Sequence, residues 1–239
     1  MKIIIDTKEN CAKLAAKQYA ELLNRKPDCI LGLATGSTPE ELYKELIALN
    51  KAGEISFKQV SSYNLDEYVG LTGEHPQSYR YFMDDKLFNH VDINKDNTHV
   101  PCGIDMTDEK AAEYDKEIEK AGGIDLQLLG VGNNGHIAFN EPGTPLDSVT
   151  HVVKLTQSTL EANKRFFASI DEVPTEAVCM GIKTIMNARK IILMAYGKNK
   201  AEAMAKAIKG KIDLNVPASI LQLHPDCTIY MDAEAASQL

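Results

Sequence analysis

The chain has 239 residues, 44% of them apolar and 25% charged, a globular composition that excludes disorder and collagen-like repeats. Its 26 basic against 34 acidic residues leave a formal net charge of −8, which argues against general affinity for nucleic acid or an anionic membrane. Five cysteines, odd in number and without CxxC spacing, argue against a disulfide framework or zinc cluster and for a reducing cytoplasm, and no stretch approaches the ~18 apolar residues of a membrane span.

Residues 2–5 form a short apolar run that predicts a strand. In residues 8–24, Cys11, Leu14, Ala15, Tyr19, Leu22 and Leu23 recur at helical spacing. Residues 29–33 read as β and are broken by Thr35-Gly36-Ser37-Thr38. Pro39 suits the first turn of a helix running to about residue 53, with Thr38 as candidate N-cap. A strand is expected over 60–65, ending at Asp66. Then come a helix over 79–88, a short strand over 98–100, an amphipathic helix over 108–120 and a buried strand over 124–131. Strands over 152–155, 177–182 and 190–196, helices over 160–167, 199–209 and 217–222, and a last strand over 227–231 complete the pattern. Alternation of this kind predicts one doubly wound α/β domain over 1–239, its mostly parallel sheet covered by helices on both faces. Ligands of such folds bind at the C-terminal strand edge, where strand order reverses. Polar clusters that follow strands are therefore the ones to weigh.

Three do. In residues 31–43, Gly36 lets backbone approach a ligand, hydroxyls of Ser37 and Thr38 can donate, and the free N–H groups of the next helix favour an anion. A plain capped turn explains this segment equally well. In residues 61–71, Asp66 and Glu67 follow a strand between Leu65 and Tyr68. One shielded carboxylate there can serve as a general base, although two solvated acids at a turn are the commoner arrangement. Residues 128–144 are the most specific. Gly130, Gly132 and Gly135 punctuate a strand end, and Asn133, Asn134, His136, Asn140 and Glu141 crowd around Ile137-Ala138-Phe139. Histidine titrates nearest neutrality, and a neighbouring carboxylate would orient its ring. No third ligand at metal spacing accompanies His136 and Glu141, so no metal is expected.

In order along the chain, ATGSTP, NLDEYVGL, GVGNNGHIAFNEPG, GKNKA and SILQLHP resemble the motifs of the glucosamine-6-phosphate deaminase family, from about residue 5 to residue 231. The resemblance implies a Rossmann-like fold and conversion of glucosamine 6-phosphate and water to fructose 6-phosphate and ammonia, without cofactor or metal. It implies Asp66 as the base that moves a proton from C2 to C1. His136, partnered by Glu141 and Asn134, would open the sugar ring, and Gly36, Ser37, Thr38, Arg165 and Lys200 would hold the phosphate. Arg165 and Lys200 are otherwise two of 26 ordinary cations. The expected partner is a small amino-sugar phosphate, not nucleic acid or membrane, and the expected state a monomer or low-order homo-oligomer.

Two departures matter. Longer family members carry Asp where this chain has Asn134, which leaves Glu141 as the expected sole carboxylate partner of His136. Those longer members are hexamers activated by N-acetylglucosamine 6-phosphate through basic residues. Here His151 and Val153 stand at those places, so the activator site is expected to be incomplete. Two other readings compete: a sugar-phosphate lactonase, whose family segment lacks the FNEP continuation that supplies Glu141, and a ligand-sensing effector domain, which needs no pairing of Asp66 with His136.

Overall fold

The structure is a computed structural model and describes residues 1–164, 167, 169 and 172–239. Its elements in chain order are β1 (Lys2–Ile5), α1 (Lys8–Arg25), β2 (Ile30–Leu33), α2 (Glu40–Lys51), β3 (Ser61–Asn64), β4 (Asp66–Tyr68), α3 (Tyr79–Lys86), β5 (Thr98–His99), α4 (Asp108–Ala121) and β6 (Leu126–Leu129). Then follow β7 (His151–Lys154), α5 (Gln157–Asn163), β8 (Glu176–Cys179), α6 (Ile182–Met186), β9 (Ile191–Ala195), α7 (Ala201–Lys209) and β10 (Cys227–Met231). Among the described residues, no helix is long and apolar enough to cross a membrane.

Seven strands form one wholly parallel sheet in the order β1-β10-β9-β6-β2-β3-β5. β2, β6, β9 and β10 are buried along their whole length, which is why they read as continuous apolar runs rather than alternating ones. The chain winds outward from β2 through β3 to β5, and in the other direction from β6 through β9 and β10. Strand order therefore reverses between β2 and β6, and the loops leaving these two strands open onto the same crevice. The pairing across it is close. Gly32 faces Gln127, and a Cβ on Gly32 would stand 2.0 Å from the Gln127 Oε1.

Helix ends follow local chemistry. Thr7 caps α1 by accepting from the Asn10 N–H, and Gly122 ends α4 in the left-handed conformation at φ 109°. Several expectations need correction. Thr38 makes no cap hydrogen bond; Pro39 itself stands at the N-cap of α2, its fixed φ already suited to the turn. Residue 182 opens α6 rather than closing a strand, because Gly181 packs against the carbonyls of Ser148 and Val149 and turns the chain there. Pro217–Leu223 is 3-10 rather than α-helical, and Lys198–Lys200 is a 3-10 turn before α7.

The largest correction is a second sheet. Asp66 and Glu67 do not lie at a turn after β3. They form β4, which pairs antiparallel with β8, and β8 pairs antiparallel with β7. The chain changes sheets at Leu65, whose N–H still donates to Leu33 of the parallel ladder at 3.2 Å while its carbonyl accepts from Met180 at 2.7 Å. Tyr68, Phe139, Leu155, Ala177 and Cys179 form a small core of their own beside this sheet.

Candidate active site

A cavity of about 770 Å³ opens at the switch point. Its wall includes Gly36 and Ser37 from the loop after β2, Gly132 to Asn134 and His136 from the loop after β6, and Lys200 before α7. The structure thus brings together residues 36, 37, 134, 136 and 200. Gly36 has φ +87°, a conformation that favours glycine, and no atom lies within 4 Å of where its Cβ would stand. Thr38 is not on the wall; its Oγ1 faces Gly130. Arg165 lies outside the described residues.

The imidazole of His136 stacks directly over Gly132, where a Cβ would come within 2.2 Å of the ring. Its Nδ1 lies 3.5 Å from Glu141 Oε1, an electrostatic contact longer than a charge-assisted hydrogen bond. Glu141 is otherwise fully engaged. Oε2 accepts from Asn134 Nδ2 at 2.7 Å, and Oε1 accepts from the hydroxyls of Thr159 at 2.8 Å and Thr156 at 3.3 Å. Burial pushes the Glu141 carboxyl up, but the imidazole, amide and hydroxyl around it win and hold it at about 2. Asn134 does not bond the His136 ring. Its Oδ1 instead accepts the His136 backbone N–H at 3.2 Å while its amide holds Glu141. The two threonines were not visible as site residues; Thr156 caps α5, and its helix start is what brings Thr159 to Glu141.

The turn that carries Glu141 is pinned to the small sheet. Buried Asn140 donates to the Met180 carbonyl at 2.9 Å and the Ile137 carbonyl at 3.0 Å, and the Phe139 N–H donates to Cys179 Sγ at 3.2 Å. Within it Ala138 adopts φ 51°, a left-handed conformation uncommon for a non-glycine residue.

Asp66 stands opposite Cys179 in the β4–β8 register and is 7% exposed. Among the described residues, nothing donates a hydrogen bond to its carboxyl. Burial first, and the neighbouring Glu67 second, raise its pKa to about 8. Asp66 is not itself on the cavity wall, but Tyr68, two residues on, is. Tyr68 packs with Tyr79 and Phe139 at ring separations of 4.8 and 6.0 Å.

Lys200 Nζ and Asn199 Nδ2 both donate to Asn133 Oδ1, at 2.8 and 2.9 Å. Burial lowers the Lys200 pKa. Asn133 was part of a conspicuous cluster in sequence, yet only the structure shows that it steers the lysine. Among the described residues, no group of three or more His, Cys, Asp or Glu side chains is arranged to hold a metal ion.

The family of glucosamine-6-phosphate isomerases and 6-phosphogluconolactonases matches residues 6–230. The chain is 54% identical over 239 residues to a glucosamine-6-phosphate deaminase of Thermoanaerobacter pseudethanolicus, covering 99% of this chain and 94% of that one. It is 52% identical over 238 residues to the deaminase of Clostridium beijerinckii, covering 99% and 98%. Among solved structures, a monomeric glucosamine-6-phosphate deaminase matches at TM-score 0.96 and 44% identity, with both chains wholly covered. A 6-phosphogluconolactonase from Trypanosoma cruzi shares the fold, at TM-score 0.78 and 20% identity, over 100% of this chain and 96% of that one.

Proposed function

The chain belongs to the family of glucosamine-6-phosphate isomerases and 6-phosphogluconolactonases, and from that premise we propose how it works. It is an enzyme of amino-sugar catabolism that converts glucosamine 6-phosphate and water to fructose 6-phosphate and ammonia. The chemistry is an aldose–ketose isomerisation followed by hydrolytic loss of the amine, carried by residues 1–239 as one unit acting as a monomer.

One observation carries this reading: a single cavity joins a histidine backed by a carboxylate to an anion cradle of glycine, hydroxyl and cation. His136 moves a proton between the anomeric hydroxyl and the ring oxygen as the sugar opens, a task suited to an imidazole near neutrality. Glu141, kept ionised, stabilises the imidazolium, and Asn134 fixes Glu141 without competing for the proton. Asp66 takes the C2 proton and returns it at C1. A buried base with a pKa of about 8 is matched to a weak carbon acid far better than an exposed aspartate. Gly36 and Ser37 at the mouth of α2, together with Lys200, hold the phosphate, with Arg165 as a further contributor.

Ammonia release from glucosamine 6-phosphate by the purified chain, without added metal or cofactor, tests the reading. Hydrolysis of 6-phosphogluconolactone in place of ammonia release would overturn it in favour of the lactonase branch. Binding of the sugar phosphate without turnover would favour the effector domain.

A further inference from the structure

The resemblance assigns no role to Glu67, the neighbour of Asp66. Glu67 is 2% exposed, yet its carboxylate is the most heavily used hydrogen-bond acceptor on β4. Oε1 accepts the N–H groups of Tyr68 at 2.8 Å and Tyr79 at 2.9 Å, and Oε2 accepts that of Arg80 at 3.0 Å. Tyr79 and Arg80 are the first two residues of α3, and Ser78 Oγ accepts from Tyr81, the third. The open N–H groups of this helix are thus satisfied from the strand that carries Asp66 rather than by local capping alone. The same helix start is cavity wall, through Ser78, Tyr79, Tyr81 and Phe82.

We propose that Glu67 is a positioning residue for the reaction: its carboxylate clamps the wall formed by α3 to the β4 strand, and its negative charge stands beside the base Asp66. This rests on the function proposed above. Burial raises the Glu67 pKa overall, and the three N–H donors around its carboxylate act against that push and favour the ionised form. Among the described residues, Glu67 on β4 is the charged group that acts on Asp66, and Asp66 in turn acts on Tyr68 on β4, Tyr79 on α3, Tyr114 on α4 and Cys179 on β8. The tyrosines and the thiol are all pushed up by burial and are neutral at physiological pH, so Glu67 is the charged one among them. Arg80, the cation in the first turn of α3, is turned away: its guanidinium donates to Asp84 and to Thr98.

The test compares Glu67→Gln and Glu67→Asp with the wild-type chain in pH profiles of ammonia release and in amide hydrogen exchange. Glutamine removes the charge and turns a donor toward Arg80. The acidic limb of kcat/KM should move down by about one pH unit, because a base freed of a like charge ionises more easily. KM should also rise at least ~3-fold as the wall loosens. The substrate titrates identically with each protein, so the difference belongs to the enzyme. Aspartate keeps the charge but shortens the reach, so KM should rise while the limb stays in place. A purely structural acid would lower both rates without moving the limb, and an unmoved limb in Glu67→Gln overturns the proposal. Should Glu67→Gln not fold, Glu67→Asp decides: a raised KM with an unmoved limb supports the clamp, and an unchanged KM overturns it. Exchange at the Tyr79 and Arg80 amides reads the clamp without turnover, and a rise of at least ~10-fold is expected in either variant. Failure of the wild-type chain to release ammonia would count against the functional reading, while unchanged exchange would count against the clamp.

Discussion

In the seven-stranded sheet polar chemistry sits at the ends of strands; in the three-stranded sheet it sits inside one. The loops after β2 and β6 present Gly36, Ser37 and His136 to the cavity from the rim of an apolar parallel core. β4, by contrast, is Asp66-Glu67-Tyr68 and buried throughout. A rim can hold a phosphate because helix N-termini and a lysine converge there and water can reach it. An interior strand can raise the basicity of a carboxylate because water is kept away. On the proposed reading, the phosphate cradle and His136 stand at the rim of the large sheet, and the base for the carbon acid, Asp66, stands inside the small one.

The sharpest way to break this comparison is at Asp66. Asp66→Asn should lower kcat by at least ~100-fold and abolish proton exchange at C2, measured by solvent isotope incorporation. Near wild-type turnover would remove the small sheet from the chemistry. At the rim, Lys200→Ala should act mainly on KM, by about 1.5–3 kcal/mol, the worth of a charged hydrogen bond, and leave kcat nearly intact. Steady-state titration separates the two, and an unchanged KM would place Lys200 outside the phosphate site.

A smaller effect concerns stability. The folded-state pKa of Asp66 lies above its unfolded value, so the native state holds a proton that the unfolded chain releases between about pH 4 and pH 8. Stability therefore falls as pH rises through that window, by up to about 5 kcal/mol from this group alone. Asp66→Asn removes the titration. Its Tm should exceed that of the wild type at pH 9 and lose the advantage at pH 4, when followed by calorimetry. A constant difference at both pH values would mean that Asp66 is not shielded from water.

The smallest effect expected is none. The chain should show hyperbolic kinetics and little response to N-acetylglucosamine 6-phosphate. Lys154 is the only full cation in residues 144–155. The His151 Nδ1 is occupied by the Val149 carbonyl, and Val153 packs against the small core. A Hill coefficient clearly above one that falls to one with effector would show that another surface binds it.

The parallel sheet was legible in sequence because a strand buried on both faces leaves an unmistakable apolar run, as at residues 191–195. The glycine and asparagine cluster after β6 was legible for the same reason in reverse, since such residues do not build cores. The small sheet was not. Its strand β4 has three residues, two of them acidic, and nothing in such a string predicts burial. Pairing with β8 and the hydrogen bonds from α3 are tertiary, and only they make those acids internal. The three N–H groups held by Glu67 were invisible for the same reason, as were Asn133 steering Lys200 and Thr159 holding Glu141.

The position of β1 bears on how the molecule is made. Among the described residues its one neighbour in the sheet is β10, with Lys2 against Thr228 and Ile5 against Met231. Contacts so distant along the chain raise contact order and slow folding. During synthesis β1 leaves the ribosome long before β10, and its strand edge stays open meanwhile. Ile3 and Ile5 remain 40% and 52% exposed even afterwards. Until β10 emerges, an apolar, unpaired edge is therefore offered to whatever is near, whether chaperone or another nascent chain.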